Sequence, residues 1–247
     1  MDFSKAKTIL IIALIITDLF LIFTYGIDRD NSTALKNETA LISILESNEI
    51  IVDADIPGAH EEMPVLSVEY KDISKQEIDA LITDADITAE KKTQQGFENA
   101  AKEFVNYLGM MSTYIYVQEV AIDQAADTAR VVFACKADDF CVDGSYMICS
   151  FTVDKLTGFE SHWLEPGDFS DRELETISAA VALLSFMSEK DDDREIHIKD
   201  IEMVYWVNDL YETSDAVYDT ALPAWRITLE DGETVHIEAF EREGRSE

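Results

Sequence analysis

Residues 114–164 read YIYVQEVAIDQAADTARVVFACKADDFCVDGSYMICSFTVDKLTGFESHWL, and this stretch decides the fold class. Four runs within it, Tyr114–Ile122, Thr128–Lys136, Ser145–Asp154 and Gly158–Leu164, are rich in β-branched, aromatic and apolar residues. Such side chains suit the pleated, half-buried surface of a strand. The intervening DQAAD, ADDFCVDG and DKLTG supply turn residues. Short turns place consecutive strands side by side in opposite directions, so a four-stranded antiparallel meander is expected.

Upstream the period changes from two to that of a helix. Phe97, Ala101, Phe104 and Leu108 form an apolar stripe on a helix ending at Gly109. Ser74 is placed to cap a short helix reaching Ile82, and Leu41, Ile42 and Leu45 mark another over Glu38–Ser47. Strands are expected at Glu49–Val52 and Val65–Tyr70, with Pro57, Gly58 and Pro64 between them. Downstream, Ser170 is read as the cap of a helix whose Leu174, Ile177, Val181 and Leu184 share one face, running to EKDDDRE. Ile196–Asn208, Ala224–Glu230 and Thr234–Phe240 then read as strands, the last two joined by the hairpin signal Asp231-Gly232. Helix followed by meander, twice, predicts an α+β chain with two small domains, each a helix packed on an antiparallel sheet. The expected domains are 38–166 and 167–247, divided near Pro166–Phe169.

Ahead of them, residues 8–25 read TILIIALIITDLFLIFTY, 18 residues that span about 27 Å as a helix. That approaches the hydrocarbon thickness of a bilayer. Twelve Ile, Leu and Phe residues at roughly −0.5 kcal/mol each outweigh the roughly +3 kcal/mol of Asp18. The expectation is a transmembrane signal anchor within residues 1–27, followed by a polar spacer over 28–37. Lys5 and Lys7 precede the span and no base follows until Arg29, which orients the N-terminus inward and everything after the span outward. A cleaved signal would end in small residues, whereas this core ends in Phe20–Tyr25 with bulky ones. Ile11, Leu14, Asp18, Leu21 and Tyr25 follow a three-four spacing with Thr17 beside them, a seam suited to a neighbouring transmembrane helix.

The chain has 51 acidic and 19 basic residues, a formal net charge of −32. Such a surface repels nucleic-acid phosphates and anionic headgroups, so neither nucleic acid nor peripheral membrane binding is expected. Cys135, Cys141 and Cys149 are an odd number in a narrow window and do not make a disulfide framework. A single bridge would join Cys135 to Cys141, and a zinc site with His162 lacks a close CxxC pair. Asp191–Asp193 lack the Gly-containing ligand loop of a calcium site. His60 stands in AHEEM rather than HExxH, and Ser145 has no GxSxG elbow. His162, His197 and His236 are scattered in expected strands as surface imidazoles. Trp163, Trp206 and Trp225, with Tyr205 and Tyr211, read as packing residues before a ligand groove. No catalytic, metal or cofactor-binding residues are assigned, and no enzyme activity is expected.

The opening MDFSKAKTILIIALIITDLFLI closely resembles the start of the YycI family, through Met1, Asp2, Phe3, Ser4, Lys5, Lys7, Asp18, Phe20 and Leu21. VYWV at 204–207 and LPAWRITLEDG from Leu222 resemble the family's C-terminal sheet. The resemblance implies an extracytoplasmic α+β regulator of Gram-positive bacteria that serves cell-wall homeostasis. It would act with a YycH-like single-span protein on an essential two-component sensor histidine kinase, contacting the kinase through transmembrane helices. The alternative is a membrane-tethered ligand-binding sensor that is independent of a kinase.

Overall fold

A computed structural model of the chain describes residues 31–58, 62–71, 73–190, 194–208 and 218–240. In chain order the elements are α1 (Asn31–Ser47), β1 (Ile50–Val52), β2 (Glu62–Tyr70), α2 (Lys75–Ala85), α3 (Gln94–Tyr107), β3 (Ile115–Asp123), β4 (Thr128–Ala137), β5 (Phe140–Thr152), β6 (Lys155–His162), β7 (Leu164–Glu175), α4 (Ala179–Glu189), β8 (Ile196–Trp206), β9 (Tyr218–Leu229) and β10 (Thr234–Glu238). The fold is α+β. Two compact units share the chain, each assembled from discontinuous segments.

Pro64–Glu173 and Val204–Pro223 make one unit, and its centre is the meander. β3, β4, β5 and β6 pair successively antiparallel, as the four apolar runs require. A register shift between Ala134 and Cys135 bends β5, where Gly144 takes φ +79°. ADDFCVDG, read as one long turn, shortens to Asp138-Asp139, and β5 begins at Phe140. The early part of β5 runs parallel to β8, with Cys141 opposite Val204 and Val142 opposite Tyr205. β9 pairs antiparallel with β2 through Leu66 and Ala221, and β7 flanks β2 on the other side.

Helices in this unit follow their caps and stripes. Thr93 Oγ1 accepts from Gly96 N at 3.2 Å to start α3, which buries Phe97, Ala100, Ala101, Phe104 and Val105. Phe97 packs on Phe151 and Phe104 on Phe159, with ring centroids 5.2 and 5.4 Å apart. Ser74 closes a capping box on α2, accepting from Glu77 N while Glu77 Oε2 accepts from Ser74 N.

The other unit comprises the described residues up to Met63, Leu174–Met203 and those from Ala224 onward. β1 runs parallel to β8, Ile50 opposite Ile196, and β10 pairs antiparallel with β9, Trp225 opposite Ile237. Gly232 takes φ +87° in the tight connection between β9 and β10, where its N–H donates to Leu229 O at 3.0 Å. α1 packs on β1 and on α4, and Leu41 and Leu45 are fully buried. α4 is buried nearly all round, with Ala179, Ala182, Leu183, Leu184 and Phe186 inside, so it sits in the core rather than on a surface.

Four expectations are corrected. The helix expected from Ser170 is strand β7 as far as Glu175; Ser178 caps the helix instead, accepting from Val181 N at 3.4 Å. Leu174 and Ile177 happened to lie at helical spacing ahead of the true start. The expected division at 166/167, between 38–166 and 167–247, falls inside β7. The sheets are mixed rather than antiparallel, because β8 runs parallel to β1 and to β5. Residues 31–37 of the expected 28–37 spacer belong to α1.

Candidate functional site

The residues assigned to topology and to a transmembrane interface, Lys5, Lys7, Ile11, Leu14, Thr17, Asp18, Leu21 and Tyr25, lie outside the described residues, as do His60, Asp191–Asp193 and Tyr211. Among the described residues no helix is long and apolar enough to cross a membrane. The side chains whose geometry can be described are those of the two units.

In the unit containing β1 and β8, the parallel register places His197 opposite Ile51, and the chain turns just after Val52. Asp53 N–H donates to Ile198 O at 2.9 Å, which holds the Asp53 carboxylate over the alternate residues of β8. His197 Nδ1 lies 3.1 Å from Asp53 Oδ2, and its Nε2 lies 3.3 Å from Glu195 Oε1. Lys199 Nζ donates to Asp53 Oδ2 at 2.8 Å and reaches Glu230 Oε1 at 3.4 Å. Hydrogen bonds to Asp53 and then Glu195 raise the His197 pKa above its ordinary 6.5. Bonds from Lys199 and then His197 lower that of Asp53 below 3.8. The cluster is a proton-sensitive tie between the end of β1 and β8.

The signs give a pH window. The raised His197 pKa means its stabilisation is complete below about 6.5 and is lost as pH rises through the folded value. The lowered Asp53 pKa means its share is present above about 3.8 and is lost as pH falls through the folded value. The stability gap between wild type and His197→Gln should be widest between these limits and should narrow toward alkaline pH. Imidazole proton shifts should titrate above 6.5, and a midpoint at or below 6.5 would refute the arrangement.

In the meander unit, Cys135, Cys141 and Cys149 are all free and buried. Burial pushes the Cys135 and Cys149 thiols up to about 12, so both stay protonated at neutral pH. Buried Ser145 clamps the start of β7, its Oγ accepting from Leu164 N at 3.0 Å and donating to Leu164 O at 3.4 Å. Trp163 donates to Glu165 Oε2 at 2.8 Å, and Tyr205 Oη to Pro64 O at 3.1 Å. Both rings are buried, as is Trp225 in the other unit, while Trp206 is half-buried.

The meander face opposite α3 carries its own pattern. Tyr116, Ala134, Tyr146 and His162 stand in one cross-strand row. His162 packs against Tyr70 and Tyr146, with ring centroids 5.9 and 6.1 Å apart, and Lys136 lies over Tyr116. Farther along, an open concavity of about 430 Å³ is lined by Arg130, Thr128, Ser150, Thr152 and Thr157 among others. Among the described residues no group of three or more His, Cys, Asp or Glu side chains is arranged to hold a metal ion. The three described histidines do sit in strands, His162 in β6, His197 in β8 and His236 in β10. Sequence reading missed the Asp53–His197–Lys199 tie, since no local pattern links positions more than 140 residues apart.

No curated protein matches the chain. The family model described as YycI protein matches residues 29–240, which include every described residue of both units. On that match over most of its length, the chain belongs to the YycI protein family.

Proposed function

We propose that this chain is a membrane-anchored, non-enzymatic regulator in a two-component system, acting on the sensor histidine kinase. Residues 8–25 span the cytoplasmic membrane once, with the N-terminus inside and the α+β region outside. The seam of Ile11, Leu14, Thr17, Asp18, Leu21 and Tyr25 contacts the kinase's transmembrane helices, and the extracytoplasmic region docks a YycH-like single-span partner. The observation that carries this reading is the family match over residues 29–240. Regulation of this kind needs different affinity for the kinase's signalling states, and a few kcal/mol is enough.

Asp18 supplies the test, because an ionisable residue near the bilayer centre costs about 3 kcal/mol unless a partner offsets it. Asp18→Leu should insert at least as well as wild type and lose co-purification with the kinase from detergent extracts at matched expression. Ile15→Leu, on another face, should change little. Unchanged recovery of the Asp18→Leu variant would remove the proposed contact, and a cytoplasmic reporter signal from a fusion after Glu247 would overturn the topology.

The concavity beside Arg130 favours a second reading, a tethered sensor for a small extracytoplasmic ligand. Arg130→Ala would then abolish the response to that ligand while leaving kinase co-purification intact.

A further inference from the structure

β7 ends the strand order in its unit: β9, β2 and β7 lie side by side, and among the described residues β7 pairs along one edge only. Gly167–Glu173, seven consecutive residues, are all exposed, with no alternation between a covered and an open face. Within this stretch Phe169 alone has a ring contact, on Tyr205, among the described residues. Natural edge strands are usually blunted by shortness, charged side chains (lysine above all), prolines or a covering element. β7 is 12 residues long, contains no lysine, and has its proline at Pro166, ahead of the exposed run. At about 3.3 Å per residue the run presents roughly 23 Å of main chain. Its opposite edge is seated firmly: Gly167 lies so close to β2 that a Cβ there would come within 2.6 Å of Ser67 Oγ. Ser170 Oγ also accepts from Val65 N at 3.0 Å.

The edge is acidic. Glu165, Asp168, Asp171, Glu173 and Glu175 stand against the single base Arg172. Asp168, Asp171 and Glu173 form no ion pair among the described residues. Phe169, about one-third exposed, adds an aromatic anchor whose inner side packs on Tyr205, 5.9 Å away between ring centroids. A second copy of the chain would bring the same carboxylates and a net charge of −32 to the contact, which is repulsive. An extended basic segment meets both demands, completing main-chain hydrogen bonds and neutralising the acids.

We propose that the β7 edge, Gly167–Glu173, is a strand-addition site that receives an extended, lysine- or arginine-rich segment of a protein partner. It rests on the reading that the extracytoplasmic region docks another protein, and it names where and by what chemistry. Main-chain bonds along the edge would set the register, and the carboxylates would select a basic strand over a neutral one.

The test uses the full chain in detergent micelles and two 12-residue peptides of alternating Lys and Thr. One peptide is unmodified; the other is N-methylated at every second residue, which keeps its charge and removes the donors on one edge. The unmodified peptide should bind about tenfold tighter or more and should slow amide hydrogen exchange in 164–175 alone. The triple change Asp168→Asn, Asp171→Asn, Glu173→Gln should cost about tenfold in affinity. Equal binding of the two peptides, or protection spread over other acidic segments, would reduce the site to diffuse charge attraction and overturn the proposal. Slow exchange of 164–175 without peptide, together with dimers in sedimentation, would overturn it in favour of self-pairing. Asp18→Leu should leave peptide affinity unchanged, so failure of the kinase contact and failure of this edge are separable.

Discussion

Trp225→Ala should lower the stability of the unit built on β1, β8, β9 and β10 by about 3–5 kcal/mol, the range for removing a fully buried large aromatic. The indole is completely inaccessible, stands on β9 opposite Ile237, and its Nε1 donates to Ile177 O at 2.9 Å. Two losses add together. The cavity forfeits dispersion contacts with rigid neighbours, and the Ile177 carbonyl loses a donor at the point where the chain enters α4. Ile177 N–H is already committed to Ala239 O at 2.7 Å, so the segment ahead of α4 is tied through its N–H to the residue after β10 and through its carbonyl to β9. Trp225→Phe separates the two contributions, keeping most of the volume while leaving the carbonyl unpaired, and should cost about 1–3 kcal/mol. Urea unfolding of the full chain in detergent should show a midpoint lowered by about 1–2 M for the alanine variant. A shift below about 0.3 M would mean that the ring is not packed as described.

Gly96→Ala should destabilise the meander unit by about 2–3 kcal/mol, although helix propensity alone favours alanine over glycine by about 1 kcal/mol. The opposing sign makes the experiment decisive. Gly96 is the third residue of α3, and a Cβ there would overlap the Lys91 carbonyl oxygen and lie 3.0 Å from its carbonyl carbon. The obstacle is main chain, which cannot rotate away as a side-chain tip can. Nor can the segment ahead of it drift, because Ala89 N–H donates to Asp154 O at 2.8 Å and Ile87 O accepts from Leu156 N at 3.0 Å. Relief would therefore require either the Thr93 cap or the approach to the β5–β6 turn to open. Gly58, which has nothing within 4 Å of its missing Cβ, provides the control: Gly58→Ala should be near neutral. A Gly96→Ala variant as stable as wild type would show that Lys91 can move aside.

How much was legible follows the distance over which the signal acts. The meander was readable because each strand pairs with the next in sequence, so alternation and turn residues report the pairing directly. Ser74, the Phe97–Phe104 stripe and Gly109 likewise act within a turn or two of helix; Gly109 adopts φ +68°, as its place after α3 demands. Ser170 failed for an instructive reason. Apolar spacing through Leu174, Ile177, Val181 and Leu184 mimics a helix face, but the edge of β2 offered the Gly167–Glu173 stretch a strand partner that local pattern does not record. The same blindness hid the pairing of β8, a strand expected at Ile196–Asn208 whose parallel neighbours β1 and β5 come from far upstream. It also hid the Asp53, Glu195, His197, Lys199 and Glu230 cluster, which exists only once that pairing forms. The assigned interface residues from Ile11 to Tyr25 lie outside the described residues, and the experiments on Asp18 address them directly.

By itself the sequence determined the α+β class, the antiparallel meander, the Ser74-capped helix, the apolar stripe of α3 and the family, because propensity, periodicity and a recognisable opening are properties of neighbouring residues. Only the tertiary structure decided that the two units interleave along the chain, that the strands pair in both senses, that a 12-residue acidic strand stands at an edge, and that His197 sits between two carboxylates. Those outcomes depend on which distant segments bury their apolar faces together. That choice is set by the free energy of the whole assembled core rather than by any one window of residues.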